Sequence, residues 1–276
     1  MNFLDQTLND ITLVAFDTET TGAYPLGFEV VEFGAVKWHQ GKIVGELQIL
    51  LKPSKPMSEE VIKIHGITNE MVVDCPPLHE KVGEIRAFMD GAILMAHHAP
   101  FDMGFMSVCF EGHSLPFPHD PVLCTSLLSR RWIAESANHR LQTLVAYLKI
   151  NGGQAHRALD DARACLEVGL ECWRRAGADK TLAFMMESQG KHLKWADYSL
   201  LKNENNLIRS IAEAIHGSKD MDILYDGGSL RNTSRRITPV GIVRNPDGDY
   251  VSAICHLDRA QKRFYLGKIK DFTIVY

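Results

Sequence analysis

Apolar and polar positions change their period along this chain, and the changes divide it into three stretches. Residues 11–17 (ITLVAFD) are a short apolar run rich in β-branched side chains, followed by Thr20, Thr21 and Gly22, which predicts a buried strand ending in a turn. Residues 28–38 and 43–51 read as two further strands separated by Gln40 and Gly41, and three strands in succession predict an antiparallel meander. After Pro53 and Pro56 the pattern turns helical. Ser58-Glu59-Glu60 marks a helix start, Pro76-Pro77 a break and 78–89 a helix. Short strands at 93–96 and at Val122 and Leu123 then alternate with helices over 101–110, 141–148 and 159–174. In the last of these Ala162, Leu166, Gly169 and Leu170 share one side, and Gly177 lies just past the end. Strands alternating with helices predict an α/β unit over residues 1–177. Residues 178–220 read as a helical connector, because Leu207, Ile208, Ile211 and Ile215 recur at helical spacing between the breakers Gly190 and Gly217. Beyond it, 223–225, 237–244, 250–256, 263–266 and 272–275 are short β-type runs. Gly227-Gly228, Asn245-Pro246-Asp247-Gly248 and Asp258 punctuate them, which predicts a small β-rich unit over 221–276.

Composition changes little in this picture. The 276 residues are 45% hydrophobic and 23% charged with a formal net charge of −4, ordinary values for a globular chain. No stretch reaches the roughly 18 unbroken apolar residues of a membrane span, and Asp5 and Asp10 stand near the N-terminus without a basic segment ahead of an apolar one. Membrane insertion and secretion are therefore disfavoured. The six cysteines (75, 109, 124, 165, 172 and 255) form no C-x-x-C pair, so a reduced, cytoplasmic chain with cysteines serving as small hydrophobes is expected. The charge is uneven: residues 205–276 carry 11 Lys and Arg against 8 Asp and Glu, a formal +3, which leaves −7 for residues 1–204. A mildly basic tail favours a polyanionic partner, or is ordinary scatter of surface charge.

The chemistry gathers in three short segments. In Asp17-Thr18-Glu19-Thr20-Thr21-Gly22 two acids one residue apart stand at a strand's end, where period 2 sends both carboxylates to one face. Two acids at the tip of an apolar strand are unfavourable unless a cation or donors compensate them, and hard oxygen ligands suit Mg²⁺ or Mn²⁺. The second segment, residues 96–102 (AHHAPFD), places Asp102 at a helix start directly after a strand. The third, residues 156–162 (HRALDDA), opens the long helix.

The ordered set DTETTG, HHAPFD and HRALDDA resembles the three motifs of the DEDDh 3′-to-5′ exonucleases, a family that includes the proofreading epsilon subunit of bacterial DNA polymerase III and ribonuclease T. The likeness covers about residues 10–175, and His65-Gly66-Ile67-Thr68 resembles another short element of that family. It implies a ribonuclease H-like mixed sheet flanked by helices. Residue by residue, it implies that Asp17, Glu19, Asp102 and Asp161 hold two divalent cations, Mg²⁺ or Mn²⁺, and that His156 is the general base. Two such cations lower the pKa of an attacking water and stabilise a leaving 3′-oxygen, and a histidine with an unperturbed pKa near 6.5 can take the water's proton at neutral pH. Asp160 competes for the fourth ligand position, its other role being a first-turn acid that suits the helix dipole. By the same resemblance Thr20, Thr21 and Gly22 approach the terminal nucleotide; Gly22 gives room for that approach or meets a turn's need for an unusual dihedral. The family usually has Asn where this chain has His98, four positions before Asp102, a change that can alter the charge or geometry of the site. His97 reads as a packed or surface histidine.

Residues 221–276 resemble a WYL domain, with Asp249-Tyr250-Val251 standing where the naming triplet would be. That likeness is associated with ligand or nucleic-acid binding: Arg235, Arg236, Arg263 and Lys268 can contact phosphate while Tyr250 or Phe264 stacks on bases, or they form a solvated basic rim with core aromatics. The whole reading is a metal-dependent exonuclease acting at single-stranded DNA or RNA 3′ ends, DNA favoured over RNA, and releasing nucleoside 5′-monophosphates. Its rivals are a regulatory nucleic-acid- or ligand-binding protein whose nuclease site His98 impairs, and an accessory proofreading subunit with a polymerase partner. Nothing in the sequence bears on oligomeric state.

Overall fold

The computed structural model describes residues 3–228 and 231–276, with the side chain of Phe3 outside the description. The meander predicted for the first three strands is present as β1 (Thr12–Thr20), β2 (Val30–His39) and β3 (Lys42–Leu50), all antiparallel. Three short helices follow, α1 (Glu59–His65), α2 (Asn69–Val72) and α3 (Leu78–Phe88). Then β4 (Ile93–Ala96) adds parallel to β1, α4 (Pro100–Gly112) crosses one face, and β5 (Val122–Cys124) adds parallel to β4. The sheet order is β3-β2-β1-β4-β5. Helices α5 (Thr125–Trp132), α6 (Leu141–Leu148), α7 (Ala158–Ala176) and α8 (Leu182–Ser188) complete the first unit; α2 and α5 stand where the apolar pattern predicts no element. At α5 the run TSLLSRRW is too short to show a helical period by itself.

The pleat of β1 sorts its side chains into two cores. Val14 and Phe16 pack with Phe33, Met103, Phe110 and Trp195 on the α4 side. Leu13 and Ala15 pack with Val36, Met95, Cys165, Leu166 and Trp173 on the α7 side. Fully burying one such side chain contributes about 1.5–3 kcal/mol, so the central strand is gripped from both faces. All six cysteines are free and five are buried. Among the described residues no helix is long and apolar enough to cross a membrane.

The second sheet is antiparallel throughout, in the order β10-β6-β7-β8-β9. Its strands are β6 (Met221–Tyr225), β7 (Thr233–Val243), β8 (Tyr250–Cys255), β9 (Ala260–Tyr265) and β10 (Ile269–Ile274). Helix α9 (Asn206–His216) is capped by the Asn205 side chain and lays Ile208, Ile211 and Ala212 on the core formed by Ile223, Ile237, Val251 and Phe264. Leu26, from the loop after β1, enters the same core. Next to it the Tyr24 ring lies so close to Gly241 that a Cβ there would fall 2.2 Å from the ring, and the Tyr24 hydroxyl reaches Ser252 Oγ at 3.0 Å. A loop of the first unit is thus an integral part of the second.

Candidate active site

Asp17 and Glu19 continue the α7-facing set of β1, since Leu13, Ala15, Asp17 and Glu19 share one side of the pleat. Asp102 comes from the other side, on the first turn of α4, where one carboxylate oxygen accepts from both the Thr18 amide (2.9 Å) and the Thr18 hydroxyl (2.8 Å). Asp161 lies on the first turn of α7. Its Oδ2 accepts from the His156 amide at 2.9 Å and its Oδ1 from Gln142 Nε2 at 3.0 Å, so α6 and the turn before α7 both fix it. His156 holds that turn with a φ of 60°, and donor atoms of Glu19, His156 and Asp161 lie within 4.8 Å of one another. All five predicted residues line one cavity of about 580 Å³, together with Thr18, His98, Phe101 and Gln142.

Arg157 and Ala158 of the third motif are anchored by an acid that the motifs do not include. Glu32, wholly buried, stands opposite Glu19 in the β1–β2 register. It accepts from Arg157 Nη2 (2.8 Å) and Nε (3.2 Å), from the Ala158 amide (3.0 Å) and from Gln48 Nε2 (2.7 Å). An acid inside the apolar run of residues 28–38 was the available signal for it, because a buried carboxylate requires partners.

Crowding and desolvation decide the electrostatics. Loss of solvation, then the charges of Asp161, Glu32 and Asp102, push Glu19 up to about 8, against the lowering effect of Arg157. Burial pushes Asp102 up to about 7 even though the Thr18 hydrogen bonds favour its ionised form. Asp17 is held well above the ordinary carboxyl range by desolvation and by Asp102, Glu19 and Asp161, and Asp161 is raised by burial. Four hard carboxylates, each resisting ionisation, form a donor set suited to divalent cations such as Mg²⁺ or Mn²⁺.

The remaining predicted residues separate into several roles. Asp160 turns away from the cavity, accepting from the Gln154 amide (2.9 Å) and from Arg163 Nη1 (2.9 Å), which leaves Asp161 as the inward acid. His97 is a packed histidine, bridging Thr125 Oγ1 (2.8 Å) and the His139 carbonyl (3.0 Å); burial lowers it to about 4, so it is neutral. His98 has a φ of 60°, the left-handed conformation in which Asn and His are both enriched, and it lines the cavity. Thr20, Thr21 and Gly22 do not line the cavity. The Thr20 hydroxyl donates to the Gly22 carbonyl (2.7 Å), and Thr21 Oγ1 accepts from the Glu29 amide (2.9 Å). The reason for Gly22 is also corrected: its φ is not left-handed, and the space a Cβ would need is filled by the Phe28 ring, 2.3 Å away. The 65–68 element is a helix joint, with Gly66 at φ 71° closing α1 and Thr68 capping α2.

In the second unit Arg235 is corrected from a phosphate contact to a core residue: only 7% exposed, it pairs with Asp258 at 3.2 Å. Arg236 is exposed but engaged by Asp222 through two bonds of 2.8 and 2.9 Å, and Lys268 lies over the Tyr265 ring. Phe264 is a core aromatic, 2% exposed, and so cannot stack on a base. Arg263 sits over the Tyr250 ring, 5.1 Å from its centroid, at the boundary between the two units.

Comparison with known proteins agrees with this geometry. The family model described as "Exonuclease" (RNase T) matches residues 14–168, and the WYL domain model matches 206–274. The chain is 37% identical over 163 residues to a DNA polymerase III PolC-type of Oceanobacillus iheyensis, and 35% identical over 164 residues to that of Bacillus subtilis. Each match covers 59% of this chain but 11% of the relative, so the chain corresponds to about a tenth of those polymerases. A solved structure of Exonuclease X in complex with 5′ overhanging duplex DNA is 28% identical, with a TM-score of 0.51 over 64% of this chain and 99% of that one. Product-bound exonuclease I shares the fold at 14% identity, with a TM-score of 0.55 over 88% of this chain and 58% of that one. With the motif acids gathered on β1, α4 and α7 and the family match spanning them, the chain belongs to the RNase T family of DEDDh exonucleases and carries a C-terminal WYL domain.

Proposed function

We propose that this protein is a 3′–5′ exonuclease that removes nucleotides one at a time from a single-stranded 3′ end, DNA in preference to RNA, and releases nucleoside 5′-monophosphates. The observation that carries the reading is the convergence of Asp17, Glu19, Asp102, Asp161 and His156 on one cavity. The four carboxylates would hold two divalent cations, which when bound would supply Lewis-acid activation of water and charge stabilisation at the leaving oxygen. His156, on an exposed turn at the cavity wall, accepts a proton from the attacking water. The water oxygen bonds to phosphorus, the bond from phosphorus to the 3′-oxygen of the preceding nucleotide breaks, and that oxygen leaves to be protonated from solvent. Thr18 orients Asp102 through one carboxylate oxygen, and Gln142 with the His156 amide orients Asp161 through both. The preference for DNA is supported by the names of the PolC-type polymerases and of the Exonuclease X complex. The rival reading, a site impaired by His98, is tested by strand digestion with His98→Asn alongside the wild type.

The test is digestion of 5′-labelled single-stranded DNA and RNA of equal sequence in Mg²⁺ or Mn²⁺. Stepwise shortening from the 3′ end, abolished in Asp17→Ala and strongly reduced in His156→Ala, is the expected result. Undegraded strands with both metals would remove the proposal.

A further inference from the structure

The walls of the catalytic cavity continue past Phe101. His98 and Phe101 also line a second cleft, whose far side is built by the WYL domain from Arg244, Asn245, Tyr250 and Arg263. We propose that this cleft between the domains is a binding subsite for the substrate strand just 5′ of the nucleotide being removed, with a base against Tyr250 and Phe101 and a phosphate at Arg263. The inference rests on the exonuclease reading, since it assigns the cleft to the same strand.

Three observations lead to this assignment. The first is the pleat of β8 and β9: Val251, Ala253 and Phe264 point into the WYL core, so Tyr250, Ser252, Gln261 and Arg263 point the other way, toward the nuclease domain. The second is the state of the cations. Arg235, Arg236 and Arg244 are each held by a carboxylate (Asp258, Asp222 and Asp249), whereas Arg263 forms no ion pair among the described residues and lies over the Tyr250 ring. A guanidinium over a half-buried aromatic ring that lines a cleft is a combination that can take a phosphate and a base together without reading sequence. The third is rigidity. Ser252 Oγ is tied to the Tyr24 hydroxyl at 3.0 Å and to Gln261 Nε2 at 2.9 Å, and Tyr24 is seated on Gly241, so the cleft exists before any strand enters it. The adjoining cavity is lined by four acids and by Arg140, and the cleft that shares His98 and Phe101 with it adds Arg263 as a cation without a carboxylate partner among the described residues.

The experiment measures binding and turnover separately on the full chain. Fluorescence anisotropy with 5′-fluorescein oligo(dT) of two, four and eight nucleotides, in Ca²⁺, gives affinity as a function of length; Mg²⁺ assays on the same oligomers give turnover. The expected result is an octamer bound about tenfold or more tightly than the dimer, with most of that advantage lost in Arg263→Glu and in Tyr250→Ala, because one base–aromatic stack alone is worth about five- to a hundredfold. Tyr250→Phe keeps the ring and retains the advantage, which separates lost stacking from a damaged fold. Arg236→Ala, on β7 away from the cleft, leaves the length dependence as in wild type. Turnover without a length dependence that Arg263 and Tyr250 control overturns the subsite and leaves the exonuclease reading intact. A length dependence that both residues control, without turnover, supports the subsite and overturns the catalytic reading.

Discussion

Removing Glu32 tests how the His156 turn is held to the sheet. The carboxylate is wholly buried and receives Arg157, the Ala158 amide and Gln48 at distances between 2.7 and 3.2 Å. In Glu32→Ala the Arg157 side chain, 23% exposed, can turn toward water, but the Ala158 amide cannot. An orphaned buried N–H costs about 1–3 kcal/mol, and breaking a fully buried ion pair about 3–5 kcal/mol. The partial exposure of Arg157 lowers the second figure, so a loss of about 2–4 kcal/mol is expected, measurable in a domain whose stability is about 5–15 kcal/mol. Arg157→Ala leaves the buried carboxylate with two amide donors and no cation, and its cost is expected to be similar. Because the two changes remove one shared interaction, the double variant should cost less than the two losses combined, by about 1–3 kcal/mol. Urea denaturation of the wild type, both single variants and the double variant, with unchanged slopes, provides the cycle. A coupling below about 0.5 kcal/mol, the size seen for independent sites, refutes the joint. Turnover should fall in both single variants as well, since His156 and Asp161 both depend on where α7 begins.

Other consequences follow from the same site. Glu19 is raised from its ordinary 4.5 to about 8 and Asp102 from 3.8 to about 7, so between those values the folded state binds more protons than the unfolded one and stability falls as pH rises. The melting temperature in chelator should therefore drop from pH 5 to pH 8 while Mg²⁺ raises it most at pH 8; a pH-independent melting temperature would contradict this. His98→Asn should retain kcat/KM on a single-stranded oligonucleotide within about threefold, under 1 kcal/mol of barrier, since both residues suit the left-handed turn. Gly22→Ala should lose about 1–3 kcal/mol by calorimetry or urea, as the new Cβ meets the Phe28 ring, and Phe28→Leu in the same chain should recover part of the loss.

Much of the first domain was legible because its signals are local. The apolar run ending in Asp17-Thr18-Glu19 sets a strand, a face and a pair of acids within nine residues, and strand pairing then carries both acids toward α7 without further information. Asp160 and Asp161 are adjacent on a helix, about 100° apart, so only one of them can face the cavity; which one depends on Arg163 and Gln154, and no periodicity reports those partners. Why residue 22 is a glycine was hidden for a related reason. Its motif is local, but the Phe28 ring that takes up the space beside Gly22 belongs to the next strand's approach.

In the WYL domain the sequence displays charges without their partners. Arg235 shares its face of β7 with Ile237, so the pleat alone sends it inward, and its apparent basic character becomes a buried ion pair with Asp258. Arg263 has the same charge and the opposite fate, because it is paired across β8 with Ser252, on the face that Tyr24 docks against. The two arginines differ only by which side of a sheet they occupy, and that side acquires meaning only when a loop 228 residues earlier is laid upon it. Catalytic acids can be found by motif because the metal chemistry dictates the residue types. A surface that guides a polyanion demands only a cation and a ring, which many chains scatter at random, so its recognition has to come from adjacency: here, from His98 and Phe101 standing as common walls of the catalytic cavity and of the cleft that Arg263 overlooks.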